Sequence, residues 1–204
     1  HQQGNTYAAE TAYRNALVFS PNKTSLLSSL AQLYLEKENY IEAQSLLKTL
    51  LKKDIKSRSL RLALISAQIS LGKTKEALSQ FEILRRYHKL SGQELVQMAS
   101  LADELENPEL VSRYCLLALK DTKLSADAKL YCLQSLLFDQ KIKAFENELK
   151  SLDTANLKKG KLVSLRLLQA RFFQDEKHLK EAEAVYQDLL KQDSLQGDAL
   201  LALA

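Results

Sequence analysis

Residues 22–56 read NKTSLLSSLAQLYLEKENYIEAQSLLKTLLKKDIK, and this stretch decides the fold of the chain. Apolar residues recur at helical spacing on both sides of a polar turn at Glu38-Asn39. They are Leu26, Leu27, Leu30, Ala31, Leu33 and Tyr34 before the turn and Ala43, Leu46, Leu47, Leu50 and Leu51 after it. A lone pair of helices cannot bury both of these faces, so the pair needs similar pairs on either side.

One small apolar position recurs through the chain with a fixed period. Ala9, Ala43, Ala77 and Val111 follow one another every 34 residues. A repeat of that length built from two helices is typical of a solenoid, in which stacked helix pairs share a continuous core. The register therefore predicts an all-α chain without β-sheet.

Composition agrees with an all-α chain. Its 204 residues include only 5 Gly and 2 Pro, too few for a barrel or sandwich with many turns, and strong helix formers dominate. No apolar run approaches the roughly 20 residues that span a bilayer. The formal charge of +4 is mild. Cys115 and Cys132 fall on apolar stripes, which predicts buried free thiols and leaves a single bridge between them open.

The register predicts one solenoid over residues 1–204, divided into consecutive units. The predicted units are a half unit at 1–21, full units at 22–57, 58–91 and 92–125, an irregular unit at 126–162, a full unit at 163–196 and a truncated one at 197–204. In the half unit, Gly4-Asn5-Thr6 predicts a turn before the helix. In the irregular unit, Phe145 replaces the small residue, which predicts that the two helices are pushed apart.

Both ends of the chain fall inside a repeat, so we expect a fragment of a longer array. Solenoids normally shield their terminal repeats with polar residues. Here Leu200, Leu201 and Leu203 have no following helix to cover them, and Tyr13 lacks a partner helix. These uncapped ends predict self-association.

Several units resemble the tetratricopeptide repeat family. The matching residues are Leu30-Ala31 and Met98-Ala99 in first helices and Ala9, Tyr13, Ala16 and Pro21 in a second helix. The resemblance implies a right-handed superhelical solenoid of antiparallel helix pairs, whose first helices line a concave groove. Carried over to this chain, the groove-facing positions are Ser25, Ser28, Gln32, Leu35, Ser59, Leu62, Ser66, Ile69, Gln93, Val96, Ser100, Asp103, Asp127, Leu130, Gln134, Leu137, Ser164, Leu167, Arg171 and Gln174.

This predicted groove is mostly uncharged. Family members that hold acidic chaperone tails use a clamp of Lys, Asn and Arg, but Ser28, Ser29, Gln32 and Ala63 stand at the comparable places, so the clamp is absent. Ser and Gln could simply solvate an unused face. Because each unit also places apolar residues there, we favour binding of an extended peptide or a helix from a protein partner, whose identity the sequence does not give.

No catalytic, metal-binding or cofactor-binding pattern occurs in the sequence, since the three His lie far apart and no phosphate-binding loop is present. The prediction is a non-enzymatic scaffold without a cofactor. One alternative is the targeting or regulatory arm of an enzyme whose catalytic domain lies outside this fragment. A less favoured one is a polyanion such as RNA, bound where Lys52, Lys53, Arg85 and Arg86 cluster between units, although helix dipoles explain that placement equally well.

Overall fold

The computed structural model describes residues 2–139, 141–151, 159–175 and 177–192. All of the regular secondary structure in these ranges is helical, which confirms the predicted all-α class of paired helices. The helices are α1 (Gln2–Phe19), α2 (Thr24–Glu36), α3 (Tyr40–Lys53), α4 (Arg58–Ser70), α5 (Thr74–Tyr87), α6 (Gly92–Glu104), α7 (Pro108–Ala118), α8 (Ala126–Phe138), α9 (Ile142–Ser151), α10 (Lys159–Asp175) and α11 (Leu179–Gln192).

The turn inside a helix pair has one recurring geometry. A residue with positive φ follows the first helix at Glu38, Gly72, Glu106 and Lys177, with φ between 53° and 66°. The N–H of the next residue donates to the carbonyl five residues back, as from Asn39 to Tyr34 at 2.8 Å. The N–H of the positive-φ residue itself donates to the carbonyl three residues back, as from Glu38 to Leu35 at 3.1 Å. This pair of bonds is the Schellman motif, which satisfies the last carbonyls of the first helix.

The spacing of these turns measures the register of the chain. The amide that donates across five residues belongs to Asn39, Lys73, Asn107 and Lys141, each 34 residues after the last, and then to His178, 37 residues further on. Three extra residues are therefore inserted between Lys141 and His178. Part of this interval lies outside the described residues.

Residues 1–90 form a first compact unit that contains α1 to α5. Each helix in it packs against the next along the chain. Ala43 and Ala77 are fully buried, because a small side chain at these positions lets two helices approach closely. Leu50 and Phe81 fill the space beside them and are also buried.

Residues 91–204 form a second compact unit that contains α6 to α11. Here α6 packs against α7, α7 against α8, α8 against α9 and α10 against α11. The sequence predicted an irregular unit around Phe145. Phe145 on α9 is fully buried in one cluster with Leu133 of α8 and Leu165 of α10, and α10 packs against α8 as well as α11.

Two sequence-based predictions concern the ends of the chain: a turn near the first residues and self-association. The turn predicted at Gly4-Asn5-Thr6 is wrong, because α1 runs without a break from Gln2 to Phe19. A single Gly costs a helix only about 1 kcal/mol, which the packing of α1 against α2 can offset. Leu200, Leu201 and Leu203, which were predicted to be uncovered, lie outside the described residues, so the predicted self-association stays a prediction.

Candidate functional site

A hollow of about 560 Å³ opens on the first unit, between the first helices α2 and α4 and beside α1. Its walls include Ser28, Gln32 and Leu35 of α2 and Ser59 and Ala63 of α4. On α2 these residues follow the spacing i, i+4 and i+7, which places them on one helix face. Since six of the thirteen lining residues are Ala or Ser, the two helices leave an open space at this face.

The hollow of the first unit is nearly uncharged. Among its lining residues only Glu36 carries a formal charge, and its carboxylate accepts a hydrogen bond from the Gln32 amide at 3.1 Å. Leu35, Leu60 and Tyr13 supply apolar surface, and serine hydroxyls supply donors and acceptors. Pockets of this size with apolar walls and a few polar groups are typical of ligand sites.

A cluster of charged side chains fastens α1 to α2 in the same unit. The Arg14 guanidinium donates to the Tyr34 hydroxyl from Nε at 3.1 Å and from Nη2 at 2.8 Å. Its Nη2 also lies 3.0 Å from the Glu10 carboxylate, and the ring of Tyr34 lies 6.0 Å below the guanidinium carbon. The Lys37 ammonium, 2.6 Å from Glu10, holds the pKa of that carboxyl below its usual range. Phenol oxygen, aromatic ring and carboxylate together bind one guanidinium.

A second hollow, of about 470 Å³, lies in the second unit between α6, α7 and α8. Its lining residues are Asp103, Pro108, Val111, Tyr131, Gln134, Ser135 and Phe138. Asp103 and Gln134 are exposed, and the Phe138 side chain is 87% exposed. Asp103 is the one carboxylate in this lining, and no basic side chain is part of it.

Tyr131 is the unusual residue of the second hollow. Its hydroxyl oxygen is buried and has no hydrogen-bond partner among the residues that the structure describes. Ser135 donates its proton elsewhere, to the Tyr131 backbone carbonyl at 2.9 Å. Burial, with smaller contributions from nearby Cys115 and Asp103, raises the pKa of Tyr131 to about 12, so the phenol is neutral at pH 7.

The groove positions expected from the sequence fall into three groups by exposure. The exposed ones are Ser25, Gln32, Ser59, Ser66, Ile69, Gln93, Ser100, Asp103, Asp127, Gln134, Ser164 and Arg171. The half-buried ones are Ser28, Leu35, Leu62, Val96, Leu167 and Gln174. Leu130 and Leu137 form the third group and need a correction: they are 7% and 5% exposed and pack with Leu165 of α10, so they cannot serve as open groove contacts.

The structure brings some of the predicted residues together and leaves others apart. Ser28, Gln32, Leu35 and Ser59 share the first hollow, but Leu62, Ser66 and Ile69 do not line it. Tyr13 also lines it and was not among the predicted positions, whereas Ser29 and Ala63 line it at places that the sequence had assigned to the absent clamp. Ser29 and Ala63 are 34 residues apart, as are Ser25 and Ser59, so the repeat register itself carried a signal for them.

A family model described as Tetratricopeptide repeat matches residues 1–113, more than half of the chain. The chain belongs to the tetratricopeptide repeat family. The resemblance read from the small and aromatic positions of the repeats is thereby confirmed. Proteins of this fold are in general non-catalytic scaffolds for protein–protein interaction, with extended binding surfaces formed by stacked repeats. A comparison with curated protein sequences finds no match.

Several solved structures share the tetratricopeptide fold at low identity. YrrB, a TPR protein with an unusual peptide-binding site, is 14% identical with a TM-score of 0.64, over 94% of this chain and 97% of that one. A chain of the Naa15/Naa10 complex bound to HypK-THB is 18% identical with a TM-score of 0.72, over 99% of this chain and 31% of that one. A tetratricopeptide repeat protein from Parabacteroides merdae is 15% identical with a TM-score of 0.59, over 99% of this chain and 92% of that one. At such identities the likeness shows the fold alone.

Three of the basic residues between the helix pairs of this tetratricopeptide protein have structural partners. Lys53 donates to the carbonyl of Asn22 at 2.6 Å, and Arg58 donates to the carbonyl of Lys89 at 3.3 Å. Arg85 pairs with Glu82 at 2.8 Å. These contacts give Lys53, Arg58 and Arg85 local structural roles.

Metal ligands, membrane spans and cysteines are the remaining chemical features of the described part of the chain. It holds no cluster of three or more His, Cys, Asp or Glu that could bind a metal ion. None of its helices is long and apolar enough to cross a membrane. Cys115 and Cys132 are both buried free thiols, as predicted. Contact with Cys115 and burial raise the pKa of Cys132 far above its ordinary value, so this thiol is a poor nucleophile.

Proposed function

We propose that this protein is a non-enzymatic scaffold that binds an extended peptide or a helix of a protein partner along its first helices. The observation that carries the proposal is the 560 Å³ hollow of the first unit, built on Ser28, Gln32, Leu35 and Ser59. These residues are among the groove positions predicted from the resemblance to the repeat family. YrrB, a TPR protein with a peptide-binding site of its own, supports the same use of the fold.

Binding in this hollow depends on apolar burial and neutral hydrogen bonds. A partner side chain buried against Leu35 and Leu60 would contribute about 1.5–3 kcal/mol. The Gln32 amide and the hydroxyls of Ser28 and Ser59 can pair with a peptide backbone. Because Glu36 is the only charged lining residue, we expect the affinity to depend weakly on salt.

A selection of random peptides on the whole chain tests the proposal. Ser59→Arg places a long side chain in the hollow, so we expect it to weaken the selected peptides at least tenfold. Ser79→Arg is the matched control, because Ser79 is exposed on α5 and does not line the hollow. Affinities from isothermal titration calorimetry of both variants decide the question.

A salt titration separates the groove from the basic edge. We expect Ser59→Arg to weaken a selected peptide and Lys52→Glu to leave it unchanged, with little loss between about 50 and 200 mM salt. A polyanion on the edge would lose orders of magnitude over that range. If Ser59→Arg is silent while Lys52→Glu abolishes binding, the proposed function is wrong.

A further inference from the structure

We infer that the basic edge of the first unit binds the surface of an anionic lipid bilayer. This edge consists of residues 18–23, 52–58 and 85–90, which are the ends of α1, α3 and α5 with the loops that follow them. None of these residues lines the hollow of the first unit. The inference therefore goes beyond the proposed function and concerns a separate surface.

Three contacts join the segments of the basic edge into one surface. The Lys53 ammonium donates to the Asn22 carbonyl at 2.6 Å, which connects the first segment to the second. A ring nitrogen of His88 lies 2.7 Å from the Lys56 carbonyl oxygen, which connects the second segment to the third. The Lys56 ammonium also lies 5.9 Å from the centre of the Tyr87 ring. Segments that are far apart in sequence thus form one continuous face.

The charge of the basic edge favours an anionic surface. Its segments hold 8 of the 29 basic residues of the chain and 1 of the 25 acidic ones, so the rest of the chain has fewer basic than acidic residues. The side chains of five of these cations are exposed: Lys23, Lys52, Lys56, Arg86 and Lys89. A cation held at an anionic bilayer strengthens partitioning roughly fivefold, so five together give strong attraction.

Helix dipoles do not account for this concentration of charge. A cation is favourable at the carbonyl end of any helix. The last turns of α3 and α5 contain two basic residues each, whereas the last turns of α2 and α4, at the opposite edge of the same unit, contain none. Lys56 and Lys89 lie in loops beyond the helices. Binding at the basic edge explains these positions, which the dipole does not.

Exposed apolar side chains on the same edge indicate a bilayer rather than a nucleic acid. Ile55 stands between Lys53 and Lys56 in the sequence and is 54% exposed. Phe19 and Tyr87, two repeats apart at equivalent positions, are 87% and 43% exposed. Membrane-binding surfaces place cations at the phosphate groups and insert apolar and aromatic side chains beside them. A nucleic acid has no apolar layer that would receive an aliphatic side chain.

The opposite edge of the first unit gives the interaction a direction. Glu38, Glu42 and Glu76 are exposed there, near the starts of α3 and α5. An anionic surface attracts the basic edge and repels this acidic one. We therefore expect α3 and α5 to meet the bilayer by their carbonyl ends.

Cosedimentation of the whole chain with lipid vesicles tests the inference. The probe vesicles contain phosphatidylcholine with about 30% phosphatidylserine, and the control vesicles contain phosphatidylcholine alone. At about 0.1 M salt we expect saturable binding to the anionic vesicles that is at least tenfold stronger than binding to the neutral ones. We also expect this binding to weaken as the salt concentration rises, because salt screens the attraction.

Paired variants separate the contribution of charge from that of apolar insertion. Lys56→Glu changes the charge of the basic edge by two, so we expect at least a tenfold loss of vesicle binding. Lys75→Glu makes the same change at an exposed site near the start of α5, about 18 Å along the helix from Tyr87, and should have little effect. Ile55→Ser should weaken binding roughly tenfold. Ile41→Ser, at an exposed isoleucine of the opposite edge, should not.

Several outcomes would overturn the membrane contact. These are equal binding to both kinds of vesicle, equal losses in Lys56→Glu and Lys75→Glu, and no loss in Ile55→Ser. If single-stranded RNA or poly-glutamate displaces the vesicles and Ile55→Ser is silent, the basic edge is a site for a soluble polyanion instead. Circular dichroism of each variant confirms its folding before affinities are compared. Because the peptide selection concerns the hollow and not this edge, either proposal can fail while the other stands.

Discussion

The Schellman turns offer a sharp test of how the repeat is built, since the same left-handed position is occupied by Glu at two turns and by Gly at a third. Glu38 and Glu106 have φ of 57° and 53°, and Gly72 has φ of 66°. A residue with a Cβ pays about 1–2 kcal/mol for this conformation. Replacing it by Gly also increases the conformational entropy of the unfolded chain, which lowers the free energy of unfolding by about 0.4–1 kcal/mol. We therefore expect Glu106→Gly to stabilise the protein by about 1 kcal/mol.

Charge has to be separated from backbone strain in this experiment. Glu106 follows the carbonyl end of α6, where a negative charge is unfavourable. Glu106→Gln removes the charge and keeps the strained backbone, so it measures the charge alone. We expect Glu106→Gly to stabilise more than Glu106→Gln does. Gly72→Ala is the converse test: a Cβ there would meet no atom within 4 Å, so its expected loss of about 1 kcal/mol comes from the backbone.

Urea unfolding followed by circular dichroism at 222 nm gives these free energies. Each variant is compared with the parent at a common slope, since a changed slope in a repeat protein indicates separate unfolding of some repeats. For a chain of 204 residues, 1 kcal/mol corresponds to roughly 2–4 °C in melting temperature. If Glu106→Gly gains no more than Glu106→Gln, left-handed strain does not limit the stability of these turns, and the reasoning fails.

Three more predictions follow from buried groups. Ala43→Arg should lower the free energy of unfolding by about 3 kcal/mol in urea unfolding, because it overpacks a helix crossing and buries a charge. Ser45→Arg on the exposed face of α3 should be near neutral. Equal effects of the two substitutions would contradict the 34-residue register. Cys115 and Cys132 should react with a thiol reagent only as fast as the chain unfolds, and rapid labelling of the native protein would contradict their burial. Tyr131→Phe removes an unpaired buried hydroxyl and should raise stability by about 1 kcal/mol in the same assay; a loss would mean that this hydroxyl has a partner.

The repeat register could be predicted from the sequence because it depends on local patterns. Ala43, Ala77 and Val111 are buried at intervals of 34 residues, and a turn stands at the same distance before each of them. Asn107 caps α7 by accepting from the Leu110 N–H at 3.1 Å, and Pro108 takes the first helical position, as their side chains predict. Each of these local structures depends on side chains that lie within a few residues of one another in the sequence.

Exposure of the groove positions could not be predicted in the same way. A residue 34 positions further along lies on the corresponding helix face, but this spacing does not say which helix packs against that face. Leu130 and Leu137 are buried because α10 packs against α8 in the unit that contains Phe145 and the three-residue insertion. The failure at Gly4-Asn5-Thr6 has the same origin, since local turn propensity there is weaker than the packing of α1 on α2.

The two hollows differ in the side chains that line them. The first has six Ala or Ser among its thirteen lining residues, together with several Leu and one charge, on Glu36. The second has two aromatic residues, Tyr131 and Phe138, and one carboxylate, on Asp103. A fold that fixes only the buried positions leaves the exposed ones free to vary from unit to unit, so helices with the same register can carry different surface chemistry.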